Sequence, residues 1–270
     1  MIGLENTLAR IKNIIRECAG DEIVPRFERV RADIKQDGSI ITEADVAMQR
    51  RVKTALQLLW PDTAFVGEEM SAEQQQRQFD QSEHGVWILD PLDGTSNFAA
   101  GIGFFSVSLA LIKNGEVLLG LVYDPLRDEM FSAMKGERAQ LNNQELKVKP
   151  SSLPLQKSIG VVDFKRLDKD LAGKLAQYPP YASQRSFGSV ALDWCWLAAG
   201  RGHVYLHGRQ KLWDYAAGWL ILDAAGGQSC TLEGEAVFTG KLQSRSAVAA
   251  ADKTLFHEWC RWLDIDLQAT

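Results

Sequence analysis

The chain has 270 residues, 46% of them apolar and 24% charged, with a formal net charge of -5. That composition excludes a disordered chain and suffices for one large domain or two intimately packed ones. The acidic balance argues against a generic nucleic-acid-binding surface, which is ordinarily basic, and no apolar run approaches the length of a membrane span.

Leu4, Leu8, Ile11, Ile15 and Cys18 recur at spacings of four and three. They form one face of an amphipathic helix that Gly20 closes. Residues 35–39 (Lys-Gln-Asp-Gly-Ser) read as a turn between extended pieces at 30–34 and 40–41. Thr42 opens a second helix as its N-cap, with Asp45 three residues on. Met48, Val52, Leu56 and Leu59 line its inner face, and Pro61 ends it. Phe65-Val66 leads into Gly67-Glu68-Glu69, and the Gln-rich stretch 71–84 reads as an exposed loop or short surface helix.

Residues 86–89 (Val-Trp-Ile-Leu) are too few for a helix and predict a buried strand that ends in Asp90-Pro91-Leu92-Asp93-Gly94-Thr95. Runs at 104–112, 117–123 and 129–133 are separated by Asn114-Gly115 and Asp124-Pro125, and Asn142-Asn143 marks a further turn. Together they predict an antiparallel meander. Residues 150–154 are the best boundary, dividing an N-terminal α+β half (1–150) from a C-terminal α/β half (151–270). In the second half, strands at 158–162, 183–187, 202–206, 228–232 and 247–251 alternate with helices at 168–177, 189–199, 213–225 and 252–263. That alternation implies a covered α/β sheet.

Cys18, Cys195, Cys230 and Cys260 are widely spaced, and residues 1–10 lack the basic start and apolar core of a signal peptide. Both features predict a cytoplasmic protein with reduced core cysteines. A zinc site is not expected. His203 and His207 are four apart, but they flank an apparent strand, where that spacing does not converge.

The acidic residues carry the chemistry. Asp90 and Asp93 stand where a core strand leaves the interior, Pro91 fixes the backbone between them, and Gly94 permits a bend. Thr95 or Ser96 could cap a helix or present amides to an anion. The same letters also spell an ordinary turn. Glu68 and Glu69 end another short apolar run, where they could equally be solvated loop residues. Asp214 and Asp45 stand in the first turns of helices, where each could simply complement the helix dipole. All share one property: each stands where a buried element begins or ends. Oxygen-only ligands from such a set would suit Mg2+ rather than zinc, and they carry enough charge for two ions or more.

Three blocks, Gly67-Glu68-Glu69, residues 90–98 (Asp-Pro-Leu-Asp-Gly-Thr-Ser-Asn-Phe) and Trp213-Asp214-Tyr215-Ala216-Ala217-Gly218, resemble the signatures of the inositol monophosphatase family. Lys35, Asp37, Ser39, Thr42 and Asp45 match its N-terminal block. The resemblance implies a layered αβαβα sandwich of the inositol monophosphatase and fructose-1,6-bisphosphatase type. It also implies Mg2+-dependent, lithium-sensitive phosphomonoester hydrolysis, usually by a homodimer. Carried over by position, Glu68, Asp90 and the Leu92 carbonyl correspond to ligands of a first ion, and Asp90, Asp93 and Asp214 to those of a second. A third ion would lean on Glu68. Asp45, Thr95 and Glu69 then correspond to catalytic or supporting residues, and Gly94, Thr95 and Ser96 to the phosphate cradle.

For the substrate, Ser96-Asn97-Phe98 is more similar to sugar-alcohol and inositol phosphatases than to the nucleotide-bisphosphate branch. The expected partner is therefore a small phosphorylated polyol or sugar, with no membrane and no nucleic acid. Gly188-Ser189-Val190 stands in for the family's polyol-seating Gly-(Ser/Thr)-Ala. His207 replaces a glutamate seven residues before the metal-binding aspartate, and the 208–212 loop adds Arg209 and Lys211. That charge fits a second phosphate or a carboxylate on the substrate, the former as in fructose 1,6-bisphosphate or a 3′,5′-nucleotide bisphosphate. It also fits a simple solvated loop. The resemblance leaves room as well for histidinol phosphate as substrate, and for a transcription- or RNA-associated regulatory role.

Overall fold

Amphipathic periodicity near the N-terminus folds into helix α1 (Leu4–Glu22), which buries Leu8, Ile11, Ile15 and Cys18 as the spacing predicts, but Leu4, in the first turn, is exposed and the helix runs past Gly20. The structure is a computed structural model that describes residues 3–27, 29, 32–34, 40–148 and 153–267. The predicted turn at 35–39, with Lys35, Asp37 and Ser39, and most of the predicted boundary at 150–154 lie outside the described residues.

Strands β1 (Ala32–Ile34) and β2 (Ile40–Thr42) pair antiparallel. Helix α2 (Glu43–Leu59) starts from a capping box in which Thr42 and Asp45 satisfy each other's backbone amides. Strand β3 (Ala64–Gly67) follows, then helix α3 (Ala72–Asp80) within the stretch read as a loop or short surface helix. Its apolar stripe is missing because a glutamine does the inward packing. Gln75 is buried, and its Nε2 donates to the carbonyls of Gly67 and Glu68 at 3.0 and 3.1 Å.

Strand β4 (Val86–Asp93) and the five-residue helix α4 (Thr95–Ala99) carry the central block. The meander is β5 (Ser106–Lys113), β6 (Glu116–Asp124), β7 (Glu129–Met134), β8 (Gln140–Leu141) and β9 (Gln144–Glu145). Strands β3 to β9 form a seven-stranded sheet in chain order, parallel only between β3 and β4.

The second half contributes β10 (Ile159–Asp163), α5 (Lys169–Gln177), β11 (Ser183–Arg185), α6 (Val190–Ala198), β12 (Val204–Gln210), α7 (Leu212–Ala225), β13 (Gln228–Cys230), β14 (Arg245–Ala250) and α8 (Lys253–Trp262). Its five-stranded sheet has the order β11-β10-β12-β14-β13. Strand β12 runs four residues beyond the predicted end at 206, so His207 lies inside the strand rather than flanking it. The apolar pattern stops there, but the pairing continues with Ala247 and, past a register shift, Arg245.

Alternation along the strands sets the layers. Trp87, Leu89, Val107, Leu109, Leu119 and Leu121 face α1 and α2. Val86, Ile88, Ala110, Ile112 and Val122 face α6 and α7, as do Val161, Tyr205, Ala247 and Ala249 from the second sheet. On that sheet's other face, Val162, Val204, Leu206 and Val248 pack against Leu255, Phe256 and Trp259 of α8. The result is the predicted αβαβα sandwich. The middle helical layer is buried from both sides, which is why α7 is apolar around most of its circumference. Helix α7 lies close against the first sheet because β6 offers it Gly120. A Cβ there would meet the Ala217 carbonyl at 2.8 Å.

All four cysteines are free and buried. Among the described residues no helix is long and apolar enough to cross a membrane.

Candidate active site

A one-residue irregularity in β4 organises the site. Residues three apart on a regular strand point to opposite faces. In the β4–β5 ladder Asp90 pairs with Ser108 and Asp93 with Ser106, so three steps on β4 match two on β5. This is a β-bulge, and Pro91, which has no N–H to give a ladder, sits within it. The extra residue restores parity. Asp90 and Asp93 share a face with Val86 and Ile88, the face covered by α6 and α7, while Leu92 packs with the α1 and α2 side. The predicted turn at 90–95 is therefore the bulged end of a strand that extends to Asp93, followed at once by α4. Gly94 makes that junction in the left-handed region with φ +100°.

The same face of β5 draws in the second half of the chain. Ser108 Oγ donates to the Trp213 carbonyl at 2.9 Å, pinning the start of α7. Asp214, one residue on, accepts the Lys211 N–H at 2.7 Å. Ser106 Oγ lies 3.3 Å from Ser189 Oγ. Ser189 in turn donates to Asp93 Oδ2 at 2.6 Å, and the Ala191 N–H donates to the same oxygen at 2.7 Å. Asn97 fastens the two halves behind the site, donating to the Phe104 carbonyl at 2.8 Å and the Phe187 carbonyl at 2.7 Å. Leu92 N–H donates to Asp90 Oδ1 at 3.0 Å. Asp90, Asp93 and Asp214 are thus each anchored through a carboxylate oxygen.

Asp45 enters from α2. Its Oδ2 accepts the Thr42 N–H at 2.8 Å and the Thr42 hydroxyl at 2.6 Å. Its Oδ1 lies 3.0 Å from Thr95 Oγ1, which is also 2.9 Å from the Leu92 carbonyl. One hydroxyl proton therefore stands between two acceptors. On the other side, the Glu68 N–H donates to the Leu89 carbonyl at 3.1 Å, placing Glu68 beside the end of β4. The Glu69 N–H donates to Gln49 Oε1 at 3.0 Å.

Burial and mutual repulsion dominate the electrostatics. Asp90 and Asp93 are 2% and 8% exposed, and Asp45 is 1% exposed. Burial, then the charges of Glu68, Asp93 and Asp214, push Asp90 well above the usual carboxylate range. Burial pushes Asp93 up to about 6 against the opposing hydrogen bonds of Ser189, Ala191 and Val190, and Glu68 adds to the rise. Asp214 is raised well above its ordinary value by burial, then by Asp93 and Glu68. Asp45 is raised to about 6, chiefly by burial, with the Thr42 and Thr95 hydrogen bonds opposing. Four carboxylates from three distant segments thus act on one another at one place. Among the described residues no group of three or more His, Cys, Asp and Glu side chains is closed at metal-holding geometry. Even so, the donor set is all oxygen and strongly anionic, which fits a hard divalent cation.

The residues expected to touch the polyol have other partners. His207 is 2% exposed. Its Nε2 lies 3.1 Å from Asp163 Oδ2, and its Nδ1 accepts the Arg209 N–H at 3.1 Å. Ser189 is fully buried and spends its proton on Asp93. Gly188, at φ +85°, packs against the Asn97 carboxamide. Sequence reasoning missed Ser106, Ser108, Gln49 and Asp163, and took Asn97 only as part of a motif. Two serines at alternate positions of an otherwise apolar strand were the one legible signal among them.

Comparison with known proteins places this geometry. A profile of the inositol monophosphatase family matches residues 5–263. The chain is 33% identical to the Nus factor SuhB of Pasteurella multocida, covering 87% of this chain and 88% of that one. It is 31% identical to the inositol-1-monophosphatase of Bacillus subtilis, covering 92% and 94%. The solved Thermotoga maritima IMPase superposes with a TM-score of 0.81 at 28% identity, over 96% of this chain and 97% of that one. With the signature blocks, the layer order and the profile match in agreement, the chain belongs to the inositol monophosphatase family.

Proposed function

We propose that the protein hydrolyses a small phosphomonoester with the help of Mg2+. The observation that carries this reading is the convergence of buried Asp90 and Asp93 with the partly exposed Glu68 and Asp214, mutually repelling, at the seam between the two sheets. Such a cluster costs stability unless positive charge is brought to it. Glu68, Asp90, the Leu92 carbonyl, Asp93 and Asp214 would hold the ions. When bound, Mg2+ supplies the positive charge that offsets the phosphoryl oxygens and the departing alkoxide.

The chain's own groups do the rest. The Thr95 hydroxyl donates to Asp45 Oδ1, which turns its lone pairs toward a water and orients that water for attack on phosphorus. Asp45, raised to about 6, receives the proton through Thr95 as the phosphorus–ester oxygen bond breaks. The amides of Gly94, Thr95 and Ser96, at the start of α4, hold the phosphate. Glu69, tied through its N–H to Gln49, supports Glu68. His207 acts through Asp163 and Arg209 rather than by touching the substrate.

The direct test is phosphate release with Mg2+, with and without Li+, from wild type and from Asp90→Asn, Asp93→Asn and Asp214→Asn. Each variant should lose nearly all release, and full activity in all three would sink the assignment. The match to a relative named as a Nus factor supports a second reading, a transcription-associated role beside catalysis. RNA polymerase or RNA retained by the purified protein at physiological salt would favour it.

A further inference from the structure

The edge of the five-stranded sheet that meets the carboxylates is cationic. Strands β11, β10 and β12 are mutually parallel, with β10 between the other two. The chain leaving β11 delivers Ser189 to Asp93, and the chain leaving β12 delivers the Lys211 N–H to Asp214. The exit of β10 lies between them, about 5 Å from each neighbouring strand. Its single 3-10 turn, Phe164–Arg166, presents Lys165 and Arg166 to solvent, and the end of β12 with the residue after it presents Arg209 and Lys211 beside them.

The two segments are clamped together. His207 Nε2 meets Asp163 Oδ2 at 3.1 Å, and Asp163 Oδ1 caps the turn by accepting the Lys165 N–H at 2.9 Å. Gly208 lies so close to the turn that a Cβ would meet the Arg166 carbonyl at 1.9 Å. The carboxylates around this rim make their hydrogen bonds and ion pairs to groups other than these four cationic side chains. Asp168 caps α5 through the N–H groups of Asp170 and Leu171. Glu235 pairs with Arg245 at 2.7 Å, and Glu233 accepts from Ser246 Oγ at 3.2 Å. Among the described residues, none of Lys165, Arg166, Arg209 and Lys211 is in a direct ion pair, although Lys211 lies 5.9 Å over the Trp213 ring and acts on Asp214, and Arg166 acts on Asp163. A neutral polyol makes no use of such a rim, and surface cations crowded together repel one another.

Resting on the phosphatase reading above, we infer that the departing part of the substrate carries its own anionic group, phosphate or carboxylate, which the rim of Lys165, Arg166, Arg209 and Lys211 binds while the carboxylate site takes the scissile phosphate. His207 is a positioning residue, holding both halves of the rim in register through Asp163.

The test compares kcat/KM with Mg2+ for inositol 1-phosphate, fructose 1,6-bisphosphate, 6-phosphogluconate and p-nitrophenyl phosphate. An ester with a second anion should exceed inositol 1-phosphate by about tenfold or more, the worth of one charge-assisted contact. The two anionic substrates separate phosphate from carboxylate. Raising ionic strength from about 0.05 to 0.5 M should shrink that advantage, because the rim is exposed. The triple variant Lys165→Ala, Arg166→Ala, Arg209→Ala should erase it mainly through KM. Equal or better turnover of inositol 1-phosphate, a preference indifferent to salt, or an unaltered preference in the triple variant would overturn the inference. Absence of release from every substrate, p-nitrophenyl phosphate included, would instead overturn the phosphatase reading, and this inference with it.

Discussion

Replacing Asp93 with asparagine should stabilise the metal-free protein while it disables catalysis. Burial and like charge raise Asp93 to about 6 from an ordinary 3.8. At about 1.4 kcal/mol per unit, the ionised side chain costs the folded state roughly 3 kcal/mol at pH 8. The sign follows from proton counting. Between about pH 4 and 6 the folded state binds more protons than the unfolded chain, so stability falls as pH rises through that window. Asparagine carries no such penalty, and its carbonyl oxygen can still accept from Ser189 and the Ala191 N–H. Losing the charge on those hydrogen bonds returns about 1 kcal/mol. A net gain of about 1–2 kcal/mol is expected in urea denaturation at pH 8 with a chelator, shrinking toward zero at pH 5. Added Mg2+ should stabilise wild type by mass action and the variant far less. A variant less stable than wild type in chelator at pH 8, or a difference that persists at pH 5, would refute the electrostatic account.

Thr95→Val should lower kcat by about a hundredfold or more, the scale of a lost proton-transfer contact, whereas Thr95→Ser should keep most of it. Matching rates for valine and threonine in a phosphate-release assay at saturating Mg2+ would remove Thr95 from the mechanism. Because Asp45 must be ionised to receive a proton and is raised to about 6, kcat should fall as pH drops through that value. Gly94→Ala forces an L side chain into φ +100° with its Cβ 3.0 Å from the Phe104 carbonyl. A loss above about 1 kcal/mol is expected in urea denaturation. Ser108→Ala frees the Trp213 carbonyl at the head of α7. It should cost about 1 kcal/mol and raise the Mg2+ concentration for half-maximal activity; an unchanged Mg2+ dependence would show that α7 is held by packing alone.

What could be read from the sequence was what repeats or clusters locally. Leu8, Ile11 and Ile15 announce α1 by spacing, and Thr42 with Asp45 announces the start of α2. Asp90 and Asp93 stand out because carboxylates interrupt an apolar run. Other features depend on pairing across the chain. The bulge is invisible until β5 supplies Ser106 and Ser108 as partners, so the stretch reads as a turn. Gln75 breaks the apolar stripe of α3 because it packs inward through hydrogen bonds to carbonyls that only β3's neighbourhood provides. His207 looks like a ligand-facing histidine until Asp163, on the neighbouring strand β10, takes its Nε2. Polar residues that do the work of core residues are the common thread, since hydropathy marks them as exposed.

The bulge also fixes where strand β4 can sit. On its near side, pairing runs from Val86 opposite Ile112 to Asp90 opposite Ser108, and on its far side Asp93 faces Ser106. The two sides differ in offset by one residue, so no single slide of β4 along β5 can satisfy both. A slip by one would turn every side chain on the near side to the wrong face, and a slip by two would undo the pairings of Asp90 with Ser108 and of Asp93 with Ser106. Insertions and deletions between residues 90 and 93 should therefore be far less tolerated than substitutions at Leu92. The irregularity that faces the two aspartates the same way is also the detent that stops the sheet from sliding.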